Sequence, residues 1–433
     1  MIVNRNTIRE QNETIVLTAI INHPNTSRAA ISHDSGLNKA TVSEIVKKLL
    51  KEKLVVELGT GQSSIVGGRK PVLLKVNANG GYAMSLTITQ TKISSLVCNL
   101  QGKIVAQYDL VRKVEASNII DSIEEVVLYH RKNLNKTPFR FVGIVVSIDG
   151  FVHEDEIVAS TNKMLEHLTA KHLESDAIDC PIYLENQNNL AVIAEAVFAH
   201  SPGNIISIDL DEGIGSGILL QNRLFRSKNS LAGNLGHTIL YPFGKACDCG
   251  KQGCLNQYCS TGALVAEIRD LKNDSSLHLT DLIALYKTGD EDAKNVVGHL
   301  VLHMGVAISN VVSLFDPEKV YLNGDLFRAL PECVTEIQTE LNRTSGHNIP
   351  VSLSSLGKNG ALLGGIALAL QHFFQVPQLQ LHLMNKVSNN LQNNTHNESA
   401  SFCRHILSGV TFFLTHYCFL LIINSTFAVE KVE

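Results

Sequence analysis

The chain has 433 residues, 44% hydrophobic and 18% charged, with 9 cysteines and no tryptophan. These are the values of a soluble globular protein with room for roughly three domains, and they exclude a chain too polar to fold. The net charge of −4 hides an asymmetry, because residues 1–76 carry 11 Lys+Arg against 6 Asp+Glu while the remainder carries 26 against 35. A basic segment on an acidic body suits a nucleic-acid module joined to a small-molecule domain.

The stretch from Met1 to Arg9 is polar and no apolar h-region follows, so no signal peptide is expected and the protein should be cytoplasmic. An apolar run over residues 13–21 predicts a first helix. After Pro24 a short helix begins, with Ser27 as its N-cap, and Gly36 marks a tight turn. Asn38 then opens a second amphipathic helix whose apolar residues Val42, Ile45, Val46, Leu49 and Leu50 share one face. Its other face offers Lys39, Thr41, Ser43, Lys47 and Lys48. Two short strands, Leu54–Leu58 and Val72–Val76, flank a glycine-containing segment from which Arg69 and Lys70 project. Helix, turn, basic helix and basic wing in this order predict a winged helix-turn-helix that binds DNA. Lys39, Thr41, Ser43 and Lys47 would face bases and phosphates, with Arg69 and Lys70 on the flank.

From Tyr82 the texture changes. Three strands joined by turns at Gln90-Thr91 and Gln101-Gly102 lead to a buried strand, FVGIVVSIDG. PIYLENQNNLAVIAEAVFA reads as a strand followed by a helix, and NIISIDLDEGIGSGILL as a hairpin opening a second half. A helix, turn and strand end at Asn323-Gly324-Asp325, and GALLGGIALAL is a terminal helix. Strands alternating with helices indicate an α/β fold, with ligands where strands end at a cleft between two halves. Within the second half, His237 precedes Cys247, Cys249 and Cys254 with the spacing H-x9-C-x-C-x4-C. One imidazole and three thiolates in a large chain suggest a closed tetrahedral structural zinc site, with Gly250 and Gly253 allowing the tight loop.

These motifs carry a resemblance. Residues 1–78, down to the GGRKP that closes the wing, resemble the DNA-binding domain of ROK-family repressors, and residues 80–375 look like the ROK domain. The resemblance implies an actin-like, hexokinase-like body of two lobes, preceded by the winged helix-turn-helix. In ROK kinases an Asp is the catalytic base and two Glu hold the sugar; the matching positions here are Gln187, Asn234 and Asn256. An amide cannot act as that base. The kinases' first phosphate turn survives only as Thr91-Lys92, with Thr87, Thr89 and Gln90 replacing its Asp and glycines. The second hairpin, Asp211–Gly217, keeps three glycines. The resemblance implies that His237 faces the sugar as well as the metal, and that Asn162 and Asn186 join Gln187, Asn234, His237 and Asn256 around an effector.

The implied protein is a sugar-responsive repressor that performs no reaction. It would bind a palindromic operator as a homodimer or homotetramer, with structural Zn2+ as its cofactor. The alternatives are a sugar kinase that kept a DNA-binding arm and a ligand-blind scaffold. The replaced carboxylates leave three readings of the pocket open: an effector other than a plain hexose, a lost ligand, or an acidic sugar that three carboxylates would have repelled. Beyond Val376 the resemblance stops. Residues 376–433 combine an Asn-rich linker with a run from Ile406 to Val429, 24 residues without Asp, Glu, Lys or Arg. That run is long enough for a bilayer but too polar to span one well, so a membrane tether is the lesser reading beside a hydrophobic helix packed on the body or a non-native extension from a shifted reading frame.

Overall fold

The computed structural model describes residues 5–61, 70–201, 203–346 and 348–381, so Arg69 and the tail beyond 381 lie outside the described residues. The N-terminal module starts with α1 (Arg5–Asn22), whose Val16, Leu17, Ile20 and Ile21 are buried. Strand β1 (Thr26–Ser27) leads into α2 (Arg28–Ser35), which Ser27 caps by accepting a hydrogen bond from the Ala30 amide at 3.2 Å. Gly36 ends α2 in the left-handed conformation, φ 71°. Helix α3 (Lys39–Lys51) starts where Asn38 Oδ1 accepts from the Thr41 amide at 2.8 Å, and it buries Val42, Ile45, Val46 and Leu49. Strands β2 (Val55–Thr60) and β3 (Val72–Val76) complete a small antiparallel sheet of order β1-β3-β2. Three helices and a three-stranded antiparallel sheet make up this module.

The first lobe contains β4 (Tyr82–Ile88), β5 (Lys92–Asn99), β6 (Ile104–Val111), α4 (Ile119–Asn133) and β7 (Phe141–Ile148). A hairpin follows, β8 (Gly150–His153) and β9 (Glu156–Ser160), and then β10 (Ile182–Asn186) runs into α5 (Gln187–Phe198). The second lobe contains β11 (Ile205–Leu210), β12 (Ile214–Leu220), β13 (Arg223–Leu224), α6 (Asn256–Cys259), α7 (Thr261–Lys272) and α8 (Leu279–Thr288). It continues with α9 (Glu291–Phe315), β14 (Lys319–Asn323), α10 (Asp325–Ala329), α11 (Glu332–Ser345), β15 (Val351–Leu353) and α12 (Gly360–Phe374).

The sheet orders are β6-β5-β4-β7-β10 and β13-β12-β11-β14-β15. Numbered along each lobe, both read 3-2-1-4-5, with the same split between three parallel and two antiparallel strands. The body is thus one design built twice. The closing helices exchange sides: α5 follows the first lobe but packs on β11 and β12, while α12 follows the second and packs on β4 and β7. They also pack on each other, so closely that a Cβ on Gly364 would collide with the Leu190 carbonyl. The long helix α9 has the length and composition of a membrane span, yet 56% of its most apolar window is buried, with Val296, Leu300, Met304 and Ile308 inside the second lobe. It is a core helix.

The packed chain extends past the expected boundary at 375. Val376, Leu379 and Leu381 are buried, and burial of such side chains contributes about 1.5–3 kcal/mol each. Asn22, the last residue of α1, donates to the Gln378 carbonyl at 3.1 Å and accepts from the Gln380 amide at 3.0 Å. This short segment therefore joins the end of α12 directly to the N-terminal module.

Candidate functional sites

On the N-terminal module, Lys39, Ser43 and Lys47 lie exposed along one side of α3, and Thr41 is half-buried beside its capped amide. Ser43 Oγ donates to the Lys39 carbonyl at 2.7 Å, as an exposed helical serine does in the absence of a ligand. Lys48 does not belong to that face. Its ammonium bonds both oxygens of Glu13 on α1, at 2.7 and 2.6 Å, and this partner raises its pKa. It braces α3 against α1. Lys70 is exposed just before β3, and Arg69 is among the residues not described.

Around the carboxyl ends of β7 and β10, Gln187 opens α5 and donates from Nε2 to Asp149 Oδ1 at 2.9 Å. Thr161 Oγ1 donates to the other oxygen of the same carboxylate at 2.7 Å. Asn162 is buried, with neither Oδ1 nor Nδ2 bonded. Asn186 is engaged within the protein: its Oδ1 accepts from the Asn188 and Asn189 amides at 2.8 and 3.2 Å, and one N–H of its Nδ2 donates to the Gly150 carbonyl. It caps α5 rather than offering both halves of its amide to a ligand. Asn256 is half spent, because its Oδ1 accepts from the Ile214 amide at 2.8 Å and fixes the start of β12. Asn234 is half-buried just before His237.

Three groups were not foreseen from the sequence. Glu185, 2% exposed, is neutralised by Arg226 and accepts from the Asn186 amide and Asn189 Nδ2 at 2.9 and 2.8 Å. Asp149 occupies the single position between β7 and β8, at the carboxyl end of a central strand, where α/β sheets bind ligands. Asp209, at the end of β11, is pushed up to about 6 by burial and by the Asp211 charge. Asp211 is itself raised by burial and then by the Glu212 and Asp325 charges, so the second hairpin presents carboxylates where phosphates would approach.

The first phosphate turn is closed by its own side chain. Thr89 Oγ1 accepts from the Thr91 and Lys92 amides at 3.4 and 3.1 Å, the donors that an anion would need. The retained Lys92 lies 3.7 Å from Asp109.

The Cys/His motif forms a compact cage. One ligand atom from each of His237, Cys247, Cys249 and Cys254 lies within 4.8 Å of all the others. The edges from His237 Nδ1 to Cys247 Sγ and from Cys249 Sγ to Cys254 Sγ are both 3.6 Å. Arms of about 2.0–2.3 Å around a tetrahedral ion give edges of this size, whereas a disulfide needs sulfurs about 2.05 Å apart. Gly250 and Gly253 carry φ of 85° and 77°, and a Cβ on Gly253 would strike the Tyr241 carbonyl. Burial, with the nearby Lys251 charge, lowers the His237 pKa, which favours the neutral imidazole that a metal requires. The residues present fit a four-coordinate ion with no open position.

A two-lobed, internally duplicated actin-like body, preceded by a small module of three helices and a three-stranded sheet and carrying a Cys/His cage, defines the class of protein. The ROK family model matches residues 83–372, and the chain belongs to the ROK family. A xylose repressor from Staphylococcus xylosus is 30% identical over 390 residues, covering 88% of this chain and all of that protein. The crystal structure of a ROK family transcriptional regulator, a homolog of the E. coli MLC protein, superposes with a TM-score of 0.75 at 24% identity, over 86% of this chain and 98% of its own. A ROK glucokinase from Streptomyces griseus, solved with glucose and AMPPNP, reaches 0.59 at 23% identity and covers only 67% of this chain. At these identities the two structures speak for the fold.

Proposed function

We propose that the protein is a DNA-binding transcriptional repressor of carbohydrate-metabolism genes, and that it answers to a sugar in the cleft without phosphorylating it. The observation that carries this reading is the pairing of an exposed Lys39–Ser43–Lys47 face with a cleft whose first phosphate turn is capped by Thr89. The named xylose repressor relative supports it and makes a pentose or related neutral sugar the first effector to try. Two copies on a palindromic operator would set their α3 helices in successive major grooves. The protein would act in the cytoplasm. Zinc is the ion that best suits one imidazole and three thiolates; when bound it would fix the loop from His237 to Cys254 and the orientation of the His237 ring.

Coupling follows from the connections of the lobes. Closure around a sugar moves one sheet relative to the other across α5 and α12. Helix α12 runs into the 376–381 segment, which holds Asn22 of α1. A change in lobe angle would therefore reach the DNA module through the two hydrogen bonds of the Asn22 side chain, as a shift between two populated states.

The test is binding of the purified protein to its own upstream DNA at fixed salt, with and without D-xylose, D-glucose and other sugars. Release by one sugar is the expected result. Binding that no sugar alters would favour a ligand-blind scaffold, and no binding would overturn the repressor reading.

A further inference from the structure

The residue set expected around the effector contains no carboxylate, since the base and both sugar-holding acids of the kinases are amides here. The one acid retained beside them, Glu185, is buried and committed to Arg226. An ordinary amide pocket would follow, were it not for Asp149. This residue reaches the cleft from the other side of Gln187, and its two oxygens accept from Gln187 Nε2 at 2.9 Å and Thr161 Oγ1 at 2.7 Å. Each carboxylate oxygen has a second lone pair, and the residue is exposed. Two donors fix the carboxylate's orientation while leaving it able to accept from a ligand.

Its surroundings point the same way. The Asp149 carbonyl also accepts from the Thr161 amide and Ser160 Oγ, at 3.1 and 2.9 Å, so the turn and the 160–162 loop form one rigid piece. That loop carries Asn162, 9% exposed, with both amide atoms unbonded. A buried amide without partners is costly and marks a place where a ligand or an ordered water belongs. On the next hairpin, His153 Nδ1 lies 3.2 Å from Ser230 Oγ, which ties the first lobe to the loop leading to Asn234 and His237. The Asp149 charge also adds to the raised pKa values of Asp209 and Asp211, so negative charge accumulates along this wall.

We infer that Asp149 is a specificity-determining residue of the effector site, supplying in a new position a carboxylate that accepts hydroxyl protons of a neutral polyhydroxylated ligand and excludes an acidic one. Gln187 and Thr161 are the positioning residues that hold it. The inference rests on the effector reading above and narrows it, because a carboxylate wall is incompatible with an acidic sugar, which loss of the other acids had left open.

Calorimetry on the full-length protein with D-xylose, D-glucose and D-glucuronate tests it. The wild type should bind at least one neutral sugar, and D-glucuronate more weakly by 10-fold or more, on the order expected for an unfavourable charge contact. Asp149→Asn should weaken the neutral sugar by roughly 10- to 100-fold, the range of a hydrogen bond to a charged group. It should also narrow the gap to D-glucuronate, which a merely structural role would not do. Thr161→Val leaves the carboxylate in place and should cost only about a few fold, which covers the case in which Asp149→Asn misfolds by its melting curve. Unchanged neutral-sugar affinity in a folded Asp149→Asn protein, or wild-type preference for D-glucuronate, would overturn the assignment while leaving the effector reading intact. Wild-type protein that holds its operator but binds none of the three sugars would overturn both.

Discussion

The cage and the cleft share His237 and Asn256's neighbourhood, yet they handle their polar groups in opposite ways. The cage collects four ligand atoms within 4.8 Å from a single stretch of chain, close enough together to hold one ion. The cleft draws its groups from both lobes, and the protein consumes many of them: Asn186 caps α5, Asn256 holds β12, and Thr89 closes its own turn. A local site is complete once the loop folds. A site between lobes is adjustable, because each amide that is bonded internally is removed from ligand chemistry at no cost in buried polar groups.

The largest effect should come from breaking the cage. Cys249 is the exposed ligand, so Cys249→Ser removes little packing and isolates the metal. The wild type should contain one zinc per chain by elemental analysis. The variant should lose most of it and melt about 10 °C or more lower, since a structural zinc site carries several kcal/mol of folding free energy. Metal-free wild-type protein of unchanged stability would show that the cage is only a cluster of thiols.

The next effect is in the lobe core. Glu195 on α5 is 2% exposed, and burial raises its carboxyl from 4.5 to about 7, against the opposing Ser354 hydrogen bond and Lys319 charge. Its folded value lies above its free value, so folding takes up a proton in that window. The associated stability is present at low pH and is lost as pH rises from about 4.5 to about 7. A shift of this size corresponds to about 3 kcal/mol at most. Glu195→Gln should therefore raise the melting temperature at pH 8 and flatten its dependence on pH. An unchanged slope would mean that the carboxylate is solvated where α5 meets the second lobe.

A smaller effect separates two adjacent lysines. Lys47→Ala should weaken operator binding by about 1 kcal/mol and reduce the salt slope by about 1, as for a lost phosphate contact. Lys48→Ala should instead lower the melting temperature, because it strands Glu13. The sequence grouped both with the basic face. Only the fold of α1 over α3 tells them apart, and that contact joins residues 35 positions apart.

The same division runs through what was legible in the chain. Features with local causes read directly: the caps Ser27 and Asn38, the turns near Gln90 and Gln101, the strand Val72–Val76 and the spacing of the cage. The exchange of α5 and α12 between lobes did not, because nothing in an apolar helix says which sheet it covers. Nor did the packing of residues 376–381, whose apolar residues are few and whose partner is α1. Asn186 is instructive. An Asn immediately before a helix is an N-cap signal, and in that role its Oδ1 satisfies two amides that would otherwise be orphaned. Asp149 meets Gln187 across 38 residues, so its place in the site needed the sheet to be seen.

The smallest expected effect is none, and it is the sharpest test of the comparison. Gln187→Asp returns a carboxylate to the position of the kinase base. It would face Asp149 at close range, and repulsion would raise one of the pair toward neutral pH, which suits a base. If the missing Asp were the whole difference from a kinase, this variant should turn over ATP with D-glucose or D-xylose. The phosphate side argues otherwise. The Thr91 and Lys92 amides are taken by Thr89, Lys92 is near Asp109, and Asp211 and Glu212 meet the phosphates with like charge. Phosphoryl transfer depends on electrostatic positioning of those phosphates, which a base cannot replace. A coupled assay of ADP release should therefore stay at background for Gln187→Asp. Sugar-dependent turnover in that variant would show that the nucleotide half of the cleft still functions and that one amide alone separates this chain from catalysis.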